Sequence, residues 1–343
     1  MYLQNQIVLQ LQGWLLQNSG SLFKNKKIKN LFLLSLLLSQ MVFAKDITPV
    51  SSFSSVGFVN DFVVYENLLY VGNDMGTVDI FDIKTAKIIN QISLPPITSS
   101  MNKIIPADIL SVDYLDKKVL ILSVGENAYR NVWIYENNML KKIIGEDKKL
   151  TIKEARFAGG EKIVLATLGS DIILHDTSEN YNVYNSHISQ SAMGDISLSA
   201  DKEKIIFCDE SGEVKIIDTK NSNILKNYSS QNVDNIFKVA YSNGVVITAG
   251  QDRRVGVYQP NKEAYHIKSD FLVYCVGISP SGKTGIYSST QDGVLQLFDI
   301  ETKTKHDRLI GHKGVINQIK FINENDLFSS SRDNYVLQWK LTK

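Results

Sequence analysis

Between residues 59 and 340 the chain is built of short apolar–polar runs with period two, broken by clusters of Gly, Asn, Asp and Ser. Period two is the signature of strands, because it places alternate side chains on one face of a pleat. The runs also repeat. A polar turn, an alternating stretch and a polar end recur in NDMGTVDIFD, GENAYRNVWIYE, GSDIILHD, DESGEVKIID, GQDRRVGVYQ, TQDGVLQLFD and SRDNYVLQWK. These units end at Asp82, Glu136, Asp176, Asp218, Gln259, Asp299 and Lys340, at spacings of 54, 40, 42, 41, 40 and 41 residues. In the last unit GVINQIKFI, DLFSSS and YVLQWK read as three strands, and segments such as ILKNYSS after an end point supply a fourth. Four-stranded units at about this period predict an all-β, seven-bladed β-propeller, with strands throughout residues 45–343. The seventh unit stops after its third strand. Residues 47–56 (ITPVSSFSSV) precede the first inner strand, VNDFVVYE, and are expected to complete the last blade and close the ring. Closure leaves no sheet edge unpaired between the first and last blades.

The first 44 residues follow a different pattern. Lys24, Lys26, Lys27 and Lys29 precede an apolar run, Leu31 to Phe43, and Val42-Phe43-Ala44 ends it with small or apolar residues. This order is that of a secretory signal peptide, expected at 22–44 and cleaved near Ala44. The run is short for a bilayer span, which takes about 20 apolar residues. No twin arginine precedes it, and residue 45 is Lys rather than Cys, so a Sec-type, non-lipidated export signal is expected. Residues 1–21 are Gln-rich and uncharged and fit no part of a signal. They read as an upstream extension of the gene model, with Leu22 the expected true start. The expected compartment is the periplasm.

Charge then excludes one class of partner. The whole chain carries 37 basic and 36 acidic side chains. Removing residues 1–44 takes four lysines and no acid, which leaves a net charge of −3. No bulk field draws such a domain to nucleic acid. The two cysteines, Cys208 and Cys275, lie in strand-like runs of different units and are expected as buried free thiols. Tyr241, Tyr258, Tyr265, Tyr274 and Tyr287 are expected to pack between blades. A monomer with no cofactor and no metal is expected.

The repeats resemble WD repeats. The seventh is the fullest: Gly311-His312, Ser329 to Ser331, Asp333 and Trp339. By that resemblance His312, Asp333 and Trp339 form a structural hydrogen-bonded network, with Ser329 or Ser331 as the hydroxyl. Other units keep the turn aspartate (Asp74, Asp171, Asp252, Asp292) without the Gly-His pair.

Catalytic chemistry finds little support. G-x-S-x-G, H-E-x-x-H and C-x-x-C-H are absent, and the five histidines are scattered. Arginine is the more informative residue type. Of six, four fall in the turn between the second and third strands of a unit: Arg130, Arg253, Arg254 and Arg332. Those turns open on one face of a propeller. With Asp252, these arginines are the candidate partner-binding set, and an acidic protein partner is the functional reading. Pairing of each arginine with a neighbouring turn aspartate is the structural alternative. The long first spacing comes mostly from Pro95–Pro106 (PPITSSMNKIIP) and partly from a wide turn, Gly125 to Asn131. The Pro-rich loop should open on the arginine face.

Three stretches, 232–258, 269–283 and 132–138, resemble the NapL family, the WD-repeat-like accessory proteins of the periplasmic nitrate reductase system. The resemblance implies a periplasmic, non-catalytic propeller whose partners are nitrate reductase components, acting in assembly, maturation or electron delivery. It assigns no role to Asp252, Arg253 or Arg254. The alternatives are a periplasmic scaffold for outer-membrane protein assembly and a metal-dependent propeller hydrolase.

Overall fold

The computed structural model describes residues 44–341. The expected extension at 1–21, and all of the expected signal peptide but Ala44, lie outside the described residues. The rest is a seven-bladed WD40-like β-propeller. Seven antiparallel blades follow in chain order, each running from an inner strand outward. Their inner strands are Val59–Tyr65, Ile109–Leu115, Ile152–Gly159, Met193–Leu198, Ile236–Ser242, Val276–Ile278 and Ile316–Phe321. The third strands end at Asp82, Glu136, Asp176, Asp218, Tyr258, Asp299 and Lys340, so the sequence repeat tracks the blades to within one residue.

Burial follows strand position. Second strands are largely buried, and wholly so in Val245–Gly250 (VVITAG), because neighbouring blades cover both of their faces. Outer strands such as Lys87–Ser93 and Met139–Ile144 are largely exposed and carry Lys and Asn, which discourage edge-to-edge pairing with other chains. The core is therefore seven apolar layers, one between each pair of successive blades. Tyr258 and Tyr287 are buried in two of these layers, as expected. Tyr265 ties blade five to blade six by donating to the Ile300 carbonyl. Several tight turns use consecutive residues at positive φ, as in Asp116-Lys117, Asn137-Asn138 and Asn243-Gly244. Such turns match the right-handed twist of the strands they join.

The ring closes through the N-terminal segment. Ser51–Ser54 pairs antiparallel with Tyr335–Lys340 and supplies the missing outer strand of blade seven. Only part of 47–56 does this. Asp46–Ile47 instead runs parallel to Lys305–Leu309 on the outer edge of blade six, where Arg308 grips Asp46 through two hydrogen bonds of 2.8 and 3.0 Å. Pro49 lies between the two strands. It has no N–H to donate, so the chain crosses from one blade to the next there.

In the polar signature of blade seven Ser329 joins His312 to Trp339, whereas His312 Nδ1 has no hydrogen-bond partner. Ser329 Oγ accepts from Trp339 Nε1 at 2.7 Å and lies 2.8 Å from His312 Nε2. His312 Nδ1 is 3.8 Å from Asp333 Oδ2, and Ser331 donates to the same carboxylate at 2.5 Å. Ser329 is thus the central hydroxyl and Ser331 a support for Asp333. Other blades use different residues for the same task. In blade five Asn232 stands where blade seven has His312, bonded to Thr248 Oγ1 at 2.5 Å and Asp252 Oδ1 at 3.0 Å. The two thiols are free and buried, and burial raises both pKa values, Cys275 to about 12.

Candidate functional site

The site is built from a repeated irregularity in the inner strands. In six of the seven, pairing with the second strand skips one residue: Asn60, Leu110, Lys153, Gly194, Phe237 and Asn317. Each is a bulge, which leaves an extra residue unpaired and re-aims the neighbouring side chains. Only glycine fits at 194, because a Cβ there would stand 1.9 Å from the Ile236 carbonyl oxygen of blade five. The residues after the bulges are Asp61, Ser111, Glu154, Asp195, Lys238 and Gln318. All but Ser111 line the cavities of the central channel, and contacts between non-adjacent blades cross it.

Arg156 of blade three reaches Asp61 of blade one at 2.8 Å and Glu154 at 2.8 Å. Lys238 of blade five reaches Asp195 at 3.0 Å and Glu154 at 3.6 Å. Gln318 of blade seven donates to Asp61 at 2.6 Å. The acids also hold neighbouring inner strands together. Asp61 accepts from the Val112 amide at 2.9 Å, Asp113 from Phe157 at 2.9 Å and Asp195 from Val239 at 3.0 Å. Burial opposes every one of these charges. For Arg156 and Lys238 the surrounding acids outweigh it and the pKa values rise, so both stay cationic. For Glu154 burial outweighs the two cations and the carboxyl is raised. Three acids share two cations in this cluster, which accounts for the opposite outcomes.

The channel opens at both ends. On the face that carries the turns between second and third strands lies a cavity of about 700 Å³, lined in part by Asp74, Asp108, Arg130, Lys153, Leu168 and Arg332. On the opposite face lies one of about 250 Å³. Lys238 lines both.

Arg130 and Arg332, from blades two and seven, meet at the first mouth. Arg130 bonds the Ala128 and Tyr129 carbonyls, while its buried Nε has no partner. Burial lowers its pKa, against the pull of Asp108. The other two arginines are not at the mouth. Arg253 occupies a left-handed turn position (φ 63°) on the exposed rim. Arg254 is held within blade five, with Nε 3.7 Å from Asp252 and Nη1 donating to the Gln231 carbonyl at 3.3 Å. The Asp252 side chain is turned into its loop, accepting from the amides of Val233 at 2.8 Å and Arg254 at 3.1 Å as well as from Asn232.

The Pro-rich insertion joins the outer strand of blade one to the inner strand of blade two, on the arginine face as expected. It folds back as a small hairpin, Ile97–Thr98 against Ile104–Ile105. Its tip projects Met101 and Ile104, 77% and 79% exposed. Phe58, Met75, Leu168 and Val233 are further exposed apolar side chains on the same face.

Asp108 was not legible as a site residue. It enters the mouth just after the insertion, where Asn60 donates to it at 2.6 Å. Burial, then repulsion from Asp74, pushes its pKa up to about 6 despite Asn60 and Arg130. The folded carboxyl keeps its proton to about pH 6, whereas an unfolded one loses it near pH 4. Folding therefore takes up a proton in that window, and the contribution of Asp108 to stability falls as pH rises through it. Asp108→Asn should match the wild type in urea unfolding at about pH 4 and exceed it at about pH 7.5. A difference independent of pH would show that the charge of Asp108 is not disfavoured by the fold.

Among the described residues no group of three or more His, Cys, Asp or Glu side chains is placed to hold a metal ion. The inward acids are engaged by lysine, arginine, glutamine and backbone amides instead.

Comparison with known proteins agrees with this architecture. Residues 303–340, blade seven with the outer strand of blade six, match the profile of the family described as WD domain, G-beta repeat. A stretch of 64 residues is 34% identical to Protein DSE1 of Scheffersomyces stipitis, covering 19% of this chain and 10% of that protein. The chain thus spans about a tenth of the length of the curated relative it matches. Among solved structures, Raptor of Chaetomium thermophilum superposes with a TM-score of 0.67 at 11% identity, over 88% of this chain and 29% of that one. At that identity the likeness speaks to fold alone. A WD40-like propeller with a recessed mouth supports the role of a protein-interaction scaffold.

Proposed function

We propose that this protein is an exported, non-catalytic binding propeller that assists periplasmic nitrate reductase in assembly, maturation or electron delivery. One observation carries the binding face. The mouth with Arg130 and Arg332, the hairpin tip with Met101 and Ile104, and Phe58 all lie on a single side of the ring. Arginine and large apolar side chains around a recess are the composition of interface anchors. The partner and compartment rest on the sequence. The NapL-like stretches at 132–138, 232–258 and 269–283 favour nitrate reductase components, and the basic and apolar segment before Lys45 favours export to the periplasm.

The test is capture from periplasmic extract of nitrate-grown cells with tagged protein, in parallel with an Arg130→Glu/Arg332→Glu bait checked for folding by circular dichroism. A third bait, Lys141→Glu on the outer strand of blade two, controls for charge reversal away from the mouth. Nitrate reductase subunits should be recovered with the native and Lys141 baits and lost with the double variant. Equal recovery with all three would remove the mouth from the interface. Recovery of outer-membrane assembly proteins in place of the reductase would overturn the choice of partner.

A further inference from the structure

We propose that the smaller mouth of the channel, on the face opposite the arginines, binds a small oxyanion between Lys320 and Lys202. The cavity there holds about 250 Å³, enough for a phosphate- or sulfate-sized ion with a few waters. Its lining includes four cations, Arg156, Lys202, Lys238 and Lys320, against the acids Asp113 and Asp195.

The four cations are not equivalent. Arg156 and Lys238 are each bound to two acids, as described above. Asp195 is taken by Lys238 and the Val239 amide, and Asp113 by the amides of Phe157 and Tyr114 at 2.9 and 3.0 Å. Lys320, on the inner strand of blade seven, has no hydrogen-bond or ion-pair partner among the described residues. Lys202 stands in the turn after the inner strand of blade four at a left-handed φ of 61°, and its side chain lines the same cavity.

Lys320 is partly buried and opens on the cavity, so only water can accept from its ammonium there until an anion arrives. Consistent with that, burial, then repulsion from Arg156, lowers the Lys320 pKa, against weaker attraction from Asp61 and Asp113. An oxyanion in the cavity supplies the missing acceptor through charge-assisted hydrogen bonds. The chemistry required is a compact anion with several oxygen acceptors; an inorganic ion and a carboxylate or phosphate group of a larger molecule share it.

The experiment titrates the folded protein with inorganic phosphate, and separately with sulfate, at ionic strength held constant with chloride. Unfolding midpoint and titration heat are both followed. The wild type should show saturable stabilisation. Lys320→Met should lose affinity by at least about tenfold, and Lys202→Ala by a smaller factor. The unliganded proteins supply a second readout. Without an anion, Lys320→Met should be at least as stable as the wild type, because it removes an unpaired charge, and the order should reverse when phosphate is added. Lys320→Gln replaces it should the methionine variant not fold. Saturable binding that survives in the Lys320 variants would overturn the proposal. So would stabilisation no greater than chloride gives, or a Lys320 variant less stable in chloride alone, which would mean an internal partner already satisfies the ammonium.

Discussion

Replacing Arg156 by methionine should lower stability by about 3–5 kcal/mol, the range for breaking a buried ion pair from one side. The Arg156 side chain is 12% exposed, and those of its partners Asp61 and Glu154 are 4% and 8% exposed, so little water is at hand to replace it. Removing it leaves two carboxylates close together in the channel, with Lys238 3.6 Å from Glu154 as the nearest cation left to them. Methionine nearly fills the volume of the arginine stem, so the loss reports charge rather than a cavity. The pH dependence has a definite sign. Without Arg156 the Glu154 carboxyl, already raised by burial, loses its nearest cation, and protonation relieves it. The deficit against the wild type should be greatest at neutral pH and shrink as pH falls towards about 5. Urea unfolding of both proteins at the two pH values measures it. A loss below about 1 kcal/mol at neutral pH would place these pairs with solvent-screened surface bridges.

Phe53→Ala should cost a similar amount, about 3–5 kcal/mol, for a different reason. Phe53 is the one fully buried side chain of the closing strand. Its ring meets Phe81 of blade one edge-on at a centroid distance of 5.7 Å and Phe328 of blade seven at 5.9 Å. It therefore fills the layer that joins the first blade to the last, and alanine would leave a void that neither blade can collapse into without opening the ring. Phe58→Ala, five residues on and 59% exposed, is the matched control and should change stability by no more than about 0.5 kcal/mol. Equal effects at the two positions would show that closure does not depend on this layer.

The blades were legible in the sequence because each is a local object. Four strands joined by short turns repeat at a fixed interval, and the polar turns mark every boundary. The His312–Ser329–Trp339 network was legible for the same reason, since it lies within one blade. The channel was not. Asp61 and Arg156 are 95 residues apart and meet only because the ring brings blades one and three across a common axis. A lone acid or base in an apolar inner strand, as in VNDFVVY, MGDISL and IFKVAYS, was the available signal. Its meaning depended on the bulges, which shift side-chain parity by one and cannot be read from period two. Turn position fixes the side of the ring, but distance from the axis separates Arg130 and Arg332 from Arg253 and Arg254. The parallel strand at Asp46–Ile47 escaped notice because two residues carry no periodicity.

The way the ring is sewn also sets the order in which it can form. Ser51–Ser54 has no partner until Tyr335–Lys340 has been made, so the pairing that finishes the structure spans nearly the whole chain. Middle blades can assemble on one another as they appear, whereas closure waits for both ends and carries the largest loop entropy in the molecule. Until then the chain is an open arc with the outer edge of blade seven and one face of blade one uncovered. Unfolding is expected to retrace this path, with the seam between blades seven and one parting first. Hydrogen exchange should therefore be fastest, among the buried amides, along Ser51–Ser54 and its partner strand.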